Sequence, residues 1–91
     1  MYPDFKELVK NGATILDVRT PEEYSDGHIE GSINISVDKV ATKFDEISAM
    51  KQPIITCCRS GARSGMAASM LMEKGIESYN GGPWNSLNKQ I

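Results

Sequence analysis

Two adjacent cysteines, Cys57 and Cys58, are the strongest candidates for chemistry in this 91-residue sequence. Cys58 follows an apolar run, residues 53–57, and precedes small residues that lead into a predicted helix. Small residues let a backbone curl until its N–H groups point at one place, and the helix N-terminus adds positive potential there. Thiol pKa values in such settings fall from about 8.5 to between about 3.5 and 7.5. The pattern therefore predicts a thiolate nucleophile at Cys58.

The residues that follow Cys58 supply groups that could bind an anion. Arg59 and Arg63 carry forked donors that match oxyanions, although either could instead pair with a nearby carboxylate. We assign Arg59 to recruitment of the substrate anion from solvent, and Arg63 to bracing the loop while adding positive potential. The prediction requires a sulfur that is reachable from solvent, with N–H groups turned towards it. The predicted binding segment consists of Arg59, Ser60, Gly61, Ala62, Arg63 and Ser64.

Cys57 has two interpretations. Side chains alternate along a strand, so Cys57 should point away from Cys58 and pack in the core. The alternative is a thiol that captures or resolves an oxidised or persulfidated Cys58. Neighbouring cysteines can bridge only through a strained ring, and two thiols with the single His28 are too few for zinc, so we expect neither a disulfide nor a metal. Free thiols fit a reducing compartment.

Length and composition predict one small globular domain over residues 1–91. Apolar residues make up 40% of the chain, charged residues make up 24%, and the net charge is −2. The basic residues are scattered, which argues against a nucleic-acid partner. No apolar run reaches the ~18 residues of a membrane helix, and no signal peptide follows the start. We expect a cytoplasmic protein with no membrane partner.

Strand-like and helix-like segments alternate along the chain, which predicts a small α/β domain with a parallel sheet. Thr20 and Glu23 match a capping box with Pro21 at the first helical position. In such sheets ligands bind beyond the carboxyl ends of the strands, which is where Cys58 would lie. The predicted strands are 14–18, 32–35, 53–57 and 76–79, the helices are 4–10, 22–24, 37–47, 64–74 and 84–91, and a turn is predicted over 81–83.

Several segments of the chain, in order, resemble the single-domain rhodaneses, a family of thiosulfate sulfurtransferase-type proteins. The resemblance covers nearly the whole chain and implies a three-layer α/β/α fold with a small central parallel sheet. It also implies a mechanism in which the Cys58 thiolate takes the outer sulfur of thiosulfate, sulfite leaves, and an acceptor removes sulfur from the resulting persulfide. The segments are Leu16–Arg19, Pro21–Tyr24, Gly27–Ile35, Cys58–Ser64, and Gly81-Gly82 with Trp84.

The resemblance also implies the partners and the supporting residues. The donor would be a small sulfur-containing anion, thiosulfate or polysulfide, and the acceptor cyanide, a thiol or a protein cysteine, with no cofactor. Asp17 and Arg19 match a family motif near the site, and we expect Asp17 to bond to backbone and Arg19 to pair with an acid such as Glu23. A persulfide cycle needs no general base, so His28 is interpreted as a structural imidazole bonded to backbone. Trp84 is interpreted as a packing residue.

Two other functions stay open at this point. A sulfur carrier that hands its sulfur to a dedicated partner would also need Cys58. Cysteine-based phosphatases and arsenate reductases resemble this loop, but they place five residues between the cysteine and the arginine. Here four residues separate Cys58 from Arg63. The shorter loop suits a single sulfur atom better than a tetrahedral oxyanion.

Overall fold

A computed structural model describes residues 3–91 and contains four parallel strands in one sheet. The strands are β1 (Thr14–Asp17), β2 (Ile33–Asn34), β3 (Ile54–Cys58) and β4 (Ser78–Pro83), in the order β2-β1-β3-β4. The helices are α1 (Phe5–Lys10), α2 (Pro21–Ser25), α3 (Val37–Val40), α4 (Phe44–Ser48), α5 (Ala62–Glu73) and α6 (Trp84–Gln90). None of these helices is long and apolar enough to cross a membrane.

Helices cover both faces of the sheet, as the three-layer prediction requires. On one face, Leu16 and Ile54 pack in a cluster with residues of α3, α4 and α5, including Leu71. On the other face, Ile55 packs with Leu87 of α6 and with apolar side chains of α1. Both clusters are buried, so the sheet is covered on both sides, as parallel sheets usually are. The predicted α/β/α architecture is confirmed.

The strand order places a switch point between β1 and β3. The chain passes from β1 to its neighbour β2, and then crosses to β3 on the other side of β1. Asp17 at the end of β1 lies in register with Cys57 near the end of β3. Ligand sites of open α/β sheets form in the crevice at such a point, beyond the carboxyl ends of the strands. The fold therefore brings Asp17 and Cys58 to the same edge of the sheet.

The capping box predicted for α2 is present. The Thr20 hydroxyl accepts a bond from the Glu23 N–H at 3.3 Å, and the Glu23 carboxylate accepts one from the Thr20 N–H at 3.0 Å. Pro21 occupies the first helical position, where its missing N–H costs nothing. This short helix therefore holds Glu23 in a fixed place beside the sheet edge.

The single helix predicted over 37–47 is wrong, because α3 ends at Val40 and α4 begins at Phe44. The backbone tightens between them, where the N–H and the hydroxyl of Thr42 both donate to the carbonyl of Lys39, at 3.1 Å and 2.8 Å. A threonine side chain that bonds to a nearby carbonyl competes with the helical pattern in this way. The apolar face survives the break, since Val40 and Ile47 are both fully buried.

The turn predicted over 81–83 is also wrong, because this segment belongs to β4. Asn80 pairs with Thr56 and Pro83 pairs with Cys58, so β4 carries one more residue than β3 across this interval. An extra residue of this kind is a β-bulge, and Gly82 adopts a positive φ of 79° within it. A bulge keeps the strand paired while redirecting its backbone, which a turn prediction from Gly-Gly-Pro could not anticipate.

Substitution Gly81→Ala should destabilise the protein by about 1 to 3 kcal/mol, the usual cost of overpacking. A Cβ at Gly81 would lie 2.7 Å from the carbonyl oxygen of Thr56, a backbone atom that cannot move aside. Urea denaturation measures the change, with Ser69→Ala on the exposed side of α5 as the control, expected within about ±0.5 kcal/mol of the parent. Equal stability of the two variants would contradict the packing described for the bulge.

Candidate active site

The loop between β3 and α5 is short and shaped by one glycine. Cys58 is the last residue of β3 and α5 begins at Ala62, so only residues 59–61 connect them. Gly61 precedes the helix with a φ of 100°, a left-handed conformation that other residues adopt only with strain. β3 therefore ends at Cys58, and N–H groups at the start of α5 point at the sulfur of that residue.

Main-chain N–H groups converge on the sulfur of Cys58, as predicted. The Gly61 N–H donates to Sγ at 3.0 Å and the Ser64 N–H at 3.4 Å, while the Ser64 hydroxyl oxygen lies 3.3 Å away. Burial acts to raise the pKa of the Cys58 thiol, but bonds from the Ser64 hydroxyl and from the N–H groups of Ser64, Gly61 and Ser60 outweigh it and lower the pKa. The surroundings of Cys58 therefore stabilise its thiolate relative to that of a free cysteine.

The sulfur is not reachable from solvent in this structure, which makes that part of the prediction wrong. Cys58 is 0% exposed and belongs to the core cluster that includes Ala67 and Leu71. The physical reason is that Cys58 is still part of β3, so its side chain points beneath α5 instead of standing in an open loop. Arg59 and Ser60, the next two residues, are exposed. A reagent in bulk solvent therefore does not reach the Cys58 sulfur in this conformation.

Cys57 lies on the opposite face of the sheet from Cys58, as strand alternation predicted. It packs with Ile15, Ile55 and Leu87 and is 0% exposed. Burial, reinforced by the charge of Asp17, raises the pKa of the Cys57 thiol to about 12. Cys57 is therefore a protonated thiol at neutral pH.

Arg63 joins the first turn of α5 to α2. Its two terminal nitrogens donate to the two carboxylate oxygens of Glu23, at 2.7 Å and 3.0 Å. This hydrogen-bonded pairing, together with the bond from Thr20, lowers the pKa of Glu23 from 4.5 to about 2. A bidentate pair of this kind fixes orientation as well as charge. Arg63 thus reaches outward to a neighbouring helix, while its charge stays close to Cys58.

Arg19 pairs with an acid, as predicted, but this acid is Asp17 and not the Glu23 given as the example. Its Nε and Nη2 donate to Asp17 at 2.7 to 3.1 Å, and the Arg19 N–H also donates to that carboxylate, as expected for Asp17. The guanidinium further donates to the backbone carbonyls of Glu23 and Gly27, at 3.2 and 2.7 Å. The buried Asp17, two residues away, captures Arg19 and leaves the carboxylate of Glu23 for Arg63.

A cleft of about 280 Å³ opens beside the loop. Arg59 lines it and is exposed, and none of the ion pairs found within residues 3–91 involves this arginine. Trp84 forms another part of the wall, with the Arg19 guanidinium 4.8 Å from its ring centre. The sequence predicts Trp84 only as a packing residue, whereas the structure also places it in the wall of the cleft. The cleft is lined by Arg19, Glu23, Asp26, Gly27, Arg59 and Trp84.

His28 has the structural role that we predicted. Its Nδ1 lies 2.7 Å from the carbonyl oxygen of Tyr24, and its ring stacks on the Tyr24 ring with centres 3.7 Å apart. The imidazole does not line the cleft beside the loop.

Asn80 is a site residue that the sequence did not indicate. Its Oδ1 accepts bonds from the Ser64 hydroxyl at 2.7 Å and from the Gly82 N–H at 2.9 Å. Its Nδ2 donates to the Gly61 carbonyl at 3.2 Å. Asn80 therefore contacts, from β4, both the last residue of the loop, Gly61, and the first turn of α5 at Ser64. Only its place directly before Gly81-Gly82 could have suggested this, because the contact depends on the bulge.

Comparisons with known proteins agree with this arrangement. The profile of the Rhodanese-like domain matches residues 2–84. The thiosulfate sulfurtransferase GlpE of Pseudomonas aeruginosa is 32% identical over 80 residues, covering 85% of this chain and 72% of that protein. In Bacillus subtilis, YqhL is 39% identical over 69 residues, covering 75% of this chain and 54% of its own length. The putative sulfur carrier protein YrkF of that species is 36% identical over 75 residues, covering 80% of this chain and 40% of YrkF.

The fold has close counterparts among solved structures as well. The structure described as a rhodanese with anions from E. coli is similar with a TM-score of 0.74 and 29% identity, covering 88% of this chain and 92% of that one. Sequence profile, relatives and architecture agree over most of the chain. This chain belongs to the rhodanese-like domain family.

Proposed function

We propose that this protein is a sulfurtransferase that moves a sulfane sulfur from thiosulfate, a persulfide or a polysulfide to a thiophilic acceptor. The observation that carries the proposal is the set of N–H donors on the Cys58 sulfur, with Gly61 at 3.0 Å and Ser64 at 3.4 Å. The same N–H groups can stabilise either a thiolate or the negative charge of a persulfide built on it. The relationship to a thiosulfate sulfurtransferase supports the assignment.

The reaction divides into two displacements at sulfur. The Cys58 thiolate attacks the outer sulfur of thiosulfate, the S–S bond of thiosulfate breaks, and its electron pair leaves with sulfite. The acceptor, as cyanide or a thiolate, then attacks the terminal sulfur of the persulfide, and Cys58 departs as a thiolate. No proton has to be delivered to sulfite at neutral pH, so no general base or acid is assigned. Because the sulfur is buried, the structure around Cys58 must open for each displacement.

Arg59 and Arg63 have different roles in this proposal. Arg59 is exposed beside the cleft, so its guanidinium is available to a dianion such as thiosulfate. Arg63 is already bonded through two nitrogens to Glu23, so it holds the start of α5 in place and contributes its charge. Asp17 orients Arg19, and Arg19 holds α2 at the Glu23 carbonyl and the turn after it at the Gly27 carbonyl.

A second candidate function is a sulfur carrier that releases its cargo only to a partner protein. The burial of the Cys58 sulfur favours it, because a closed site protects a persulfide until a partner opens it. The similarity to the putative sulfur carrier protein YrkF points the same way. The two functions share Cys58 and its N–H donors and differ in whether small acceptors turn the protein over.

Substitution Cys58→Ala should reduce sulfite release from thiosulfate, with cyanide as the acceptor, to the rate without protein. The matched control is Cys57→Ala, because both cysteines are 0% exposed and lose the same atom. The control should keep a rate close to that of the parent, since the Cys57 thiol faces the other side of the sheet and has a pKa of about 12. Thiocyanate and sulfite are measured together.

Equal sulfite release by the Cys58→Ala protein and the parent would refute the sulfurtransferase assignment. A parent that gains one sulfur by intact mass, but does not turn over with cyanide or small thiols, would instead indicate the carrier function. Loss of activity in the Cys57→Ala control would show that the neighbouring thiol takes part in the chemistry.

Substitution Arg59→Ala should raise KM for thiosulfate by about three- to tenfold. This is the loss of affinity expected when one charge-assisted hydrogen bond to a dianion, screened by solvent, is removed. The free energy of unfolding should not change, because Arg59 is exposed. The control is Lys51→Ala, which removes an exposed positive charge just before β3, at the opposite edge of the sheet. A large loss of stability with unchanged steady-state kinetics would show that Arg59 is a structural residue.

Substitution Glu23→Gln should remove a contribution to the free energy of unfolding that the parent protein has at neutral pH and loses in acid. The Glu23 pKa is about 2 in the folded protein and 4.5 ordinarily, so the pair with Arg63 stabilises the fold above pH 4.5, and this is lost as pH falls towards 2. The parent should exceed the variant by about 0.5 to 1 kcal/mol at neutral pH, and the difference should vanish near pH 2. Denaturant unfolding measures this, with Glu22→Gln as the control; a difference independent of pH would contradict the pairing.

A further inference from the structure

The Ser64 hydroxyl lies between two groups that both require its proton. Its oxygen is 2.7 Å from Oδ1 of Asn80 and 3.3 Å from Sγ of Cys58. A serine hydroxyl has one proton to donate and two lone pairs to accept with. It can therefore donate to Asn80 or to the sulfur, but not fully to both.

The backbone fixes which way the Asn80 amide points. The Gly82 N–H can only donate, so the Asn80 atom 2.9 Å from it is the oxygen. The Gly61 carbonyl can only accept, so the Asn80 atom 3.2 Å from it is the amide nitrogen. Both contacts agree on one orientation, and the atom that faces Ser64 is consequently an acceptor. Ser64 must donate its proton to Asn80 in this arrangement.

That arrangement has a consequence for Cys58. With the proton of Ser64 directed at Asn80, only a lone pair of Ser64 faces the sulfur, and the thiol donates to it. This geometry fits the neutral thiol. A thiolate has no proton to donate, so its formation requires the Ser64 proton to swing from Asn80 to the sulfur. Asn80 would then keep its bond from the Gly82 N–H.

We propose that Asn80 is a positioning residue that competes with Cys58 for the single hydroxyl proton of Ser64, and thereby limits the fraction of Cys58 present as thiolate. The inference concerns the same site as the proposed sulfur transfer. Any effect of Asn80 on turnover rests on that proposed function. The Ser64 hydroxyl oxygen need not move, because it already lies 3.3 Å from the sulfur, and the Ser64 backbone is held by the bonds of its N–H to the sulfur at 3.4 Å and of its carbonyl to the Thr56 hydroxyl at 2.7 Å. Only the position of the proton changes.

None of the hydrogen bonds found for Asn80 within residues 3–91 joins it to a charged or titratable group. Asp17 is paired with Arg19, Arg63 with Glu23, and the Tyr79 phenol donates to Glu77. Helices α3 and α4 contribute apolar side chains to the cluster that contains Cys58. The titratable or charged residues on the neighbouring strands, directly after them and on α5 are Asp17, Arg19, Cys57, Arg59, Arg63, Glu73 and Tyr79.

The test is the pH dependence of Cys58 alkylation by iodoacetamide, followed by mass spectrometry that distinguishes Cys58 from Cys57. The proteins are the parent, Asn80→Ala, Ser64→Ala and the double variant. Asn80→Ala should lower the midpoint of the profile, with a thiolate fraction about fivefold higher well below the midpoint, the equilibrium equivalent of one neutral hydrogen bond. Ser64→Ala should raise the midpoint, because the thiolate loses its hydroxyl donor. In the Ser64→Ala background, Asn80→Ala should have no further effect.

An equal shift from Asn80→Ala with and without Ser64 would overturn the proposal, because Asn80 would then act through the Gly61 carbonyl. An unchanged or raised midpoint in Asn80→Ala would overturn it as well. If Asn80→Ala does not fold, Asn80→Asp decides. A carboxylate holds the Ser64 proton more strongly, so it should raise the midpoint more when Ser64 is present than when alanine replaces it, and an equal rise would refute the competition.

The measurement uses no sulfur donor, so it is independent of the proposed function. A lowered midpoint in a protein that does not turn over thiosulfate would support the role of Asn80 and count against sulfur transfer. Normal turnover with an unmoved midpoint would support sulfur transfer and count against the role of Asn80. The two hypotheses therefore fail separately.

Discussion

The site depends on hydrogen bonds between main-chain N–H groups and one buried sulfur atom. Burial alone would keep Cys58 protonated, as it keeps Cys57 protonated on the other face of the sheet. Two neighbouring thiols with the same exposure thus differ in acidity, because only the Cys58 thiol accepts hydrogen bonds from N–H groups at the start of α5. The strand end, the left-handed Gly61 and the first turn of the helix all serve to place donors around that sulfur.

Glu23 connects several parts of the structure to this loop. Its carboxylate closes the capping box of α2 and binds Arg63 of α5, while its carbonyl accepts from Arg19. Arg19 in turn is bonded to Asp17 at the end of β1. The end of β1 and the starts of α2 and α5 are therefore joined by a chain of hydrogen bonds. This chain holds the helix N-terminus where its N–H groups can act.

Local patterns predicted much of this protein. The alternation of apolar runs, the Thr20–Glu23 capping box and the small residues after Cys58 are signals carried by neighbouring residues, and the strands, α2 and the converging N–H groups follow from them. The choice between Asp17 and Glu23 as the partner of Arg19 could not be predicted, because both acids are close in sequence and only the fold decides. The burial of Cys58 depended on β3 extending by one residue. The role of Asn80 depended on pairing between strands that lie more than twenty residues apart.

The pleat of β3 has a consequence for the fate of a transferred sulfur. Consecutive side chains of a strand leave on opposite sides, so the backbone itself stands between the two thiols. An internal relay from one cysteine to the next would require the strand to turn over, which its pairing with β1 and β4 prevents. Under the proposed function, sulfur loaded at Cys58 therefore leaves from the Cys58 side of the sheet, and the acceptor approaches on the same side as the donor.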